Sequence, residues 1–137
     1  MDRDSHSDQQ IVDILSLRTV AVIGMSKHSS KAAHYVPKYL IDSGYDVTPV
    51  NPTADKILDI VCYDSISEID DPVDIIDVFR PSDQISSIIH DCIKKKPKVI
   101  WLQEGIHDFE SEELARKSGI TVVFNRCMLA EHRRLAL

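Results

Sequence analysis

Five short runs of aliphatic and β-branched residues recur along this chain: Thr19–Ile23, Asp46–Val50, 73–79, Val99–Leu102 and 121–124. Between them the apolar period changes to that of a helix, as in Val36, Tyr39 and Leu40 and again in Ile85, Ile88, Ile89 and Cys92. Near-continuous apolar runs suit strands covered on both faces, and a helix of about ten residues is long enough to return the chain for a parallel neighbour. The pattern therefore predicts an α/β fold: an open parallel sheet of about five to six strands with helices on both faces.

Local signals place the elements. Ser7 and Gln10 have capping-box spacing ahead of Ile11, Ile14 and Leu15, so after a frayed start a first helix covers 8–16. Pro37 is tolerable only near the first turn of the second helix, and Gly44 is placed to end it. Asn51 and Pro52 stop the second strand. The sixth candidate strand, 57–63, has the weakest pattern, and Ser65 with Glu68 suggests a helical turn. Ser82 can cap a helix that runs to Lys94, Gly119 closes a helix over 109–118, and 128–137 reads as a terminal helix. The 137 residues make one domain, with 1–18 as a peripheral segment and helix.

Composition bounds the function. A net charge of -6 speaks against broad binding to nucleic acid or an anionic membrane, which need a positive stripe, so any anion site must be local. No apolar run approaches the roughly 20 residues of a membrane span, and the polar start MDRDSHSDQQ has no signal-peptide h-region. Cys62, Cys92 and Cys127 form no CxxC pair, which suits a reducing compartment; we expect the protein in the cytoplasm.

In open parallel sheets ligands lie beyond the carboxyl ends of the strands, near the point where strand order reverses. Those ends carry Gly24, Met25 and Ser26, then Asn51 and Pro52, Arg80 and Pro81, Gln103 and Gly105, and Arg126 and Cys127. The first is followed by Lys27 and Lys31 ahead of a helix, so backbone N–H groups, the helix dipole and two cations can meet one phosphate. With Arg80 and Arg126 they would form a cationic edge on an acidic protein, suited to a ligand with several phosphates. An NAD-type dinucleotide fits poorly: of GxGxxG only Gly24 is present, and Val50-Asn51-Pro52 replaces the acidic residue that holds a ribose diol. Lost carboxylate and gained cations favour an adenosine with phosphate on its ribose.

The blocks VAVIGMSKHSSKAAHYVPKYLIDSGYDVTPVNP, VDIIDVFRPSD, KVIWLQEGI and VVFNRCMLAEHRRL resemble the small stand-alone CoA-binding proteins. Their Rossmann-like domain is similar to the CoA-binding domain of the succinyl-CoA synthetase alpha subunit. The resemblance implies coenzyme A across the carboxyl edge, with Gly24, Ser26, Lys27 and Lys31 at the phosphates and Asn51 and Pro52 beside the adenosine. Arg80, Pro81, Gln103, Gly105, Arg126 and Cys127 would line the remainder. Two positions depart from the family pattern, Asn125 where Asp is usual and Asp59 where Gly is common.

The chemistry-bearing residues also have plainer roles. Asp74 and Asp77 fit hydrogen-bonded structural positions, Trp101 fits the core, and the spacing of His28, His34 and His107 gives no metal site. Cys127 is either packed or reactive; Arg126 and the following helix would favour its thiolate. We expect a non-catalytic carrier, sensor or accessory module that binds CoA or an acyl-CoA, self-associating or acting with a separate partner chain. The alternatives are an NAD-type oxidoreductase or redox sensor, and a thiol-redox protein acting through Cys127.

Overall fold

The computed structural model describes residues 2–137. Helix α1 (Asp8–Leu15) precedes strand β1 (Thr19–Ile23), helix α2 (Ala32–Asp42) and strand β2 (Asp46–Val50). A two-stranded hairpin follows, β3 (Lys56–Ile57) and β4 (Ile60–Val61), then β5 (Ile75–Val78), α3 (Ile85–Lys95) and β6 (Val99–Leu102). The chain closes with α4 (Phe109–Lys117), β7 (Thr121–Val123) and α5 (Met128–Arg134). The main sheet runs β2-β1-β5-β6-β7 with every pairing parallel, so strand order reverses between β1 and β5.

Alternate residues of each strand feed two cores. Val20, Val22, Ile75, Val99 and Val123 face α1, α2 and α5 through Ile11, Leu15, Leu40 and Met128. Ala21, Ile76, Val78, Ile100 and Val122 face α3 and α4 through Ile85, Ile89, Cys92 and Ala115. Trp101 is fully buried, as its sequence setting predicts, and its indole N–H donates to the Arg126 carbonyl at 2.8 Å. No helix among the described residues is long and apolar enough to cross a membrane.

Several boundaries differ from the sequence pattern for identifiable reasons. The capping box forms as predicted, with Ser7 and Gln10 exchanging hydrogen bonds. Pro37, by contrast, sits in the second turn of α2 rather than the first. Lacking an N–H, it leaves the Ala33 carbonyl without its helical donor, and the Ser26 amide takes that place at 3.0 Å. The weak region 57–63 resolves into the hairpin, whose turn residues Leu58 and Asp59 both have positive φ (52° and 62°), the requirement of a type I′ turn. Strand β7 stops one residue early because the Phe124 amide donates to Asp4 Oδ2 at 3.0 Å.

That last contact belongs to the largest correction. The N-terminal segment is not frayed: Asp4 is buried and grips the buried Arg126. Arg126 donates through Nε and Nη2 to Asp4 carboxylate oxygens, both at 3.0 Å, and through Nη2 to the His6 carbonyl at 3.0 Å. Glu131 of α5 lies 3.5 Å from Nη1. Burial raises the Asp4 carboxyl, but the bonds from Arg126 and from His6 and Phe124 outweigh it and hold it below its ordinary 3.8. Asp4 therefore adds stability above its unfolded value and loses it as pH falls through its folded one. We predict that Arg126→Met, which strands two buried carboxylates, costs about 3–5 kcal/mol in denaturant unfolding at neutral pH. The deficit should narrow in acid; an unchanged unfolding midpoint would contradict the structural role.

Candidate functional site

Three strand ends meet at Gly24. Its amide donates to the Val50 carbonyl of β2 at 2.9 Å, while the Phe79 amide beyond β5 donates to the Ile23 carbonyl at 2.9 Å. Gly24 has φ +83°, and a Cβ there would lie 2.6 Å from the Phe79 carbonyl oxygen and 2.8 Å from Arg80 Cδ. Only glycine accepts that backbone and that approach. The loop that follows is pinned from several sides. Met25 is fully buried beneath it, Asn51 Nδ2 donates to the Met25 carbonyl at 2.8 Å, and the His34 ring is bonded through Nδ1 to the Ser26 carbonyl at 2.7 Å. The Ser26 amide is held by the carbonyl that Pro37 frees.

The pinned loop delivers Lys31 to the N-cap of α2, where no side chain caps the helix. Lys31 lines a cleft of about 610 Å³ at the strand-order reversal, and the first-turn residues Ala32 and Ala33, at the positive end of the helix dipole, line the cleft beside it. Gly24, Ser26, Lys27, Lys31, Asn51, Pro52 and Arg80 all line the first cleft. Arg80 Nε donates to Gln84 Oε1 at 2.9 Å, which orients the guanidinium. Lys27, Lys31 and Arg80 make no ion pair among the described residues, although the chain is acidic.

Sequence reasoning missed part of the opposite wall. Asp64 enters the cleft because the chain after the hairpin extends the sheet edge: Tyr63 bridges Val50, and the Asn51 amide donates to the Tyr63 carbonyl at 2.9 Å. Ser87 and Ile88 arrive on the first turn of α3. The helix predicted after Arg80-Pro81 is the one sequence signal that points to the α3 residues, although Ser82 does not cap it and instead accepts from the His107 amide at 3.0 Å; nothing local marks Asp64.

A second cleft, about 370 Å³, continues along the same edge and shares Arg80 with the first. Pro81, Gln103 and Cys127 line it, with Tyr35, Phe79 and Ile106 making it largely apolar. Gly105 and Arg126 line neither cleft. The Gly105 amide donates to Asn125 Oδ1 at 2.7 Å, tying the loops after β6 and β7 together. Asn125 Nδ2 also donates to the Asp2 carbonyl at 3.1 Å, a bond that the Asp usual in the resembled family could not make.

Arg126 faces Asp4, so it cannot activate Cys127 as the sequence suggested. Burial pushes the Cys127 thiol up, two α5 amides oppose that, and Glu104 and Asp77 add to the rise. The thiol is accessible from the second cleft but is held protonated, the opposite of an activated nucleophile. Asp77 is fully buried and accepts from Gln103 Nε2 at 2.6 Å; burial outweighs that bond and pushes its carboxyl up to about 7. No group of three or more His, Cys, Asp or Glu among the described residues is arranged to hold a metal ion.

Comparison with known proteins adds to this geometry. A family model described as a CoA binding domain matches residues 18–133. The chain is similar to the uncharacterized protein YneT of Bacillus subtilis, 34% identical over 127 residues that cover 92% of this chain and 94% of that protein. It is also similar to the ADP-forming acetate–CoA ligase II of Archaeoglobus fulgidus, 34% identical over 122 residues, 80% of this chain but 18% of the ligase. A solved hypothetical protein from Pyrococcus horikoshii superposes with a TM-score of 0.93 at 34% identity, covering 100% of both chains. The dinucleotide-forming acetyl-coenzyme A synthetase 1 of Ca. Korarchaeum cryptofilum gives 0.67 at 32% identity, over 75% of this chain and 24% of that one.

Gly24 allows a direct check of the site's construction. Gly24→Ala places a Cβ against the Phe79 carbonyl in a left-handed backbone, so we expect a loss of about 2–3 kcal/mol in thermal or denaturant unfolding. A variant as stable as the parent would show that the three strand ends are not packed as described.

Proposed function

This chain belongs to the CoA binding domain family, and from that premise we propose that it binds coenzyme A or an acyl-CoA along the carboxyl edge of its sheet. The carrying observation is the polarity of the two joined clefts. The first gathers three cations that make no ion pair among the described residues, one of them the N-cap of α2; the second is apolar and uncharged over most of its wall. A ligand with a phosphorylated nucleotide at one end and an uncharged arm at the other suits that order. Its diphosphate would lie over the loop from Gly24 to Lys31, its ribose phosphate within reach of the cations, and its pantetheine arm would pass Arg80. Asn51 and Pro52 would border the adenosine, with Pro81, Gln103 and Cys127 beside the arm.

The protein then serves as a carrier, sensor or accessory module, alone, self-associated or with a partner chain. Ligation of an acyl group is named for relatives of which this chain matches 18% of the length, so that activity does not transfer on similarity alone. One observation favours a second reading: Asp64 puts a carboxylate in the first cleft, where it could hold the ribose diol of an NAD-type cofactor. The raised thiol of Cys127 argues against redox chemistry through that residue.

Ligand titration separates these readings. CoA at about a hundredfold excess over its dissociation constant should stabilise the fold by about 2.7 kcal/mol, read as a rise in Tm, and NAD should do little. Lys31→Ala or Arg80→Ala should weaken CoA by about 1.5–3 kcal/mol in calorimetry, less at high salt, with unfolding little changed because both side chains are exposed and neither makes an ion pair among the described residues. Equal stabilisation by NAD, or parental CoA affinity in both variants, would overturn the proposal.

A further inference from the structure

Asp77 is buried in the middle strand of the sheet, between Val22 of β1 and Trp101 of β6 in register. Its Oδ1 accepts from Gln103 Nε2 at 2.6 Å, and its Oδ2 has no partner. A carboxylate with a single donor is a costly buried anion. Burial, opposed by the Gln103 bond, is why its carboxyl lies near 7, and no charged neighbour contributes. Of the groups around it, Val22, Trp101 and Gln103 do not titrate, and the Cys127 thiol ahead of α5 is itself pushed up. Glu104 and Arg80 line the second cleft but are exposed.

Gln103 connects this carboxyl to the cleft. Its Nε2 holds Asp77, and the residue lines the second cleft. An ionised Asp77 can only accept, so Gln103 must turn an N–H inward and leave its oxygen toward the cleft. A protonated Asp77 can donate instead. The amide can then turn over about its terminal torsion, which is broad and roughly two-fold, and aim N–H groups at the cleft.

We propose that Gln103, set by Asp77, reads the sulfur end of the ligand: its N–H accommodates the carbonyl of an acyl thioester, and its oxygen accommodates a free thiol. The inference rests on the CoA reading above and names Asp77 as a positioning residue that touches no ligand. Binding a thioester while Asp77 is ionised draws one proton from solvent onto the carboxyl. The preference for acyl-CoA over CoA therefore falls as pH rises through the Asp77 titration.

Calorimetry with acetyl-CoA and CoA tests this. Their phosphates are the same and cancel in the ratio of affinities. That ratio should fall roughly tenfold between about pH 6 and about pH 8, with acetyl-CoA binding at the upper end taking up a proton seen as buffer-dependent heat. Asp77→Asn, which carries a permanent donor, should make the ratio independent of pH; Gln103→Met should do the same by another route if Asp77→Asn does not fold. A parental ratio that is flat with pH, or a slope that survives in a folded variant, overturns the inference while CoA binding itself stands. Failure of both ligands to bind at any pH overturns this inference and the CoA reading together.

Discussion

Everything at the carboxyl edge depends on how closely β1 and β5 approach beyond their last paired residues. The Phe79 carbonyl lies where any side chain at position 24 would be, so the two chains turn away from each other at once and open a cleft between them. That divergence is a consequence of strand order, since β1 sends its helix to one face and β5 to the other. With Gly24 fixed, the loop has little freedom, because Val50, Asn51, Ala33 and His34 each hold one of its backbone groups. The uncapped start of α2 is thereby held at the border of the two clefts, Lys31 on one and Ala32 and Ala33 on the other. Pro37 contributes from eleven residues beyond Ser26: a helix defect becomes an anchor for the binding loop.

Cations in this protein divide into two groups by their partners. Arg126 is buried and paired with Asp4 and Glu131, Arg134 bridges Asp8 and Glu131, and Arg116 meets Glu112 and Glu113. The Arg126 and Arg134 pairs join the N-terminal segment and α1 to α5, and the Arg116 pairs lie within α4. Among the described residues Lys27, Lys31 and Arg80 have no such partner, and all three line one cleft. An unpaired cation on an acidic chain keeps its field for a ligand, and a paired one does not. The same distinction moves Arg126 out of the phosphate edge and leaves Cys127 without the neighbour that would have made it reactive.

Much of this architecture was readable from periodicity and punctuation. Continuous apolar runs placed the five strands of the main sheet within two residues, and Ser7 with Gln10 marked the start of α1. The loop from Gly24 to Lys31 was recognisable because glycine, helix start and lysines adjoin in sequence. What could not be read depended on distant contacts. Arg126 and Asp4 are 122 residues apart, and each alone looks like an ordinary surface charge. Asp64 reaches the cleft through the Tyr63 bridge to β2, and Gly105 closes a loop against Asn125 and lines neither cleft. Asp77 was expected to be hydrogen-bonded and is, but one oxygen remains unpaired, a fact of packing that no local pattern records.

The central claim is that one ligand spans both clefts, phosphates at the cationic end and arm at the apolar end. A crystal structure of the protein grown with CoA tests it directly. The account predicts the diphosphate against the amides between Gly24 and Lys31, the pantetheine arm passing Arg80, and the thiol between Gln103 and Cys127. CoA bound at another surface, or a carboxyl edge left empty at saturating CoA, would contradict it.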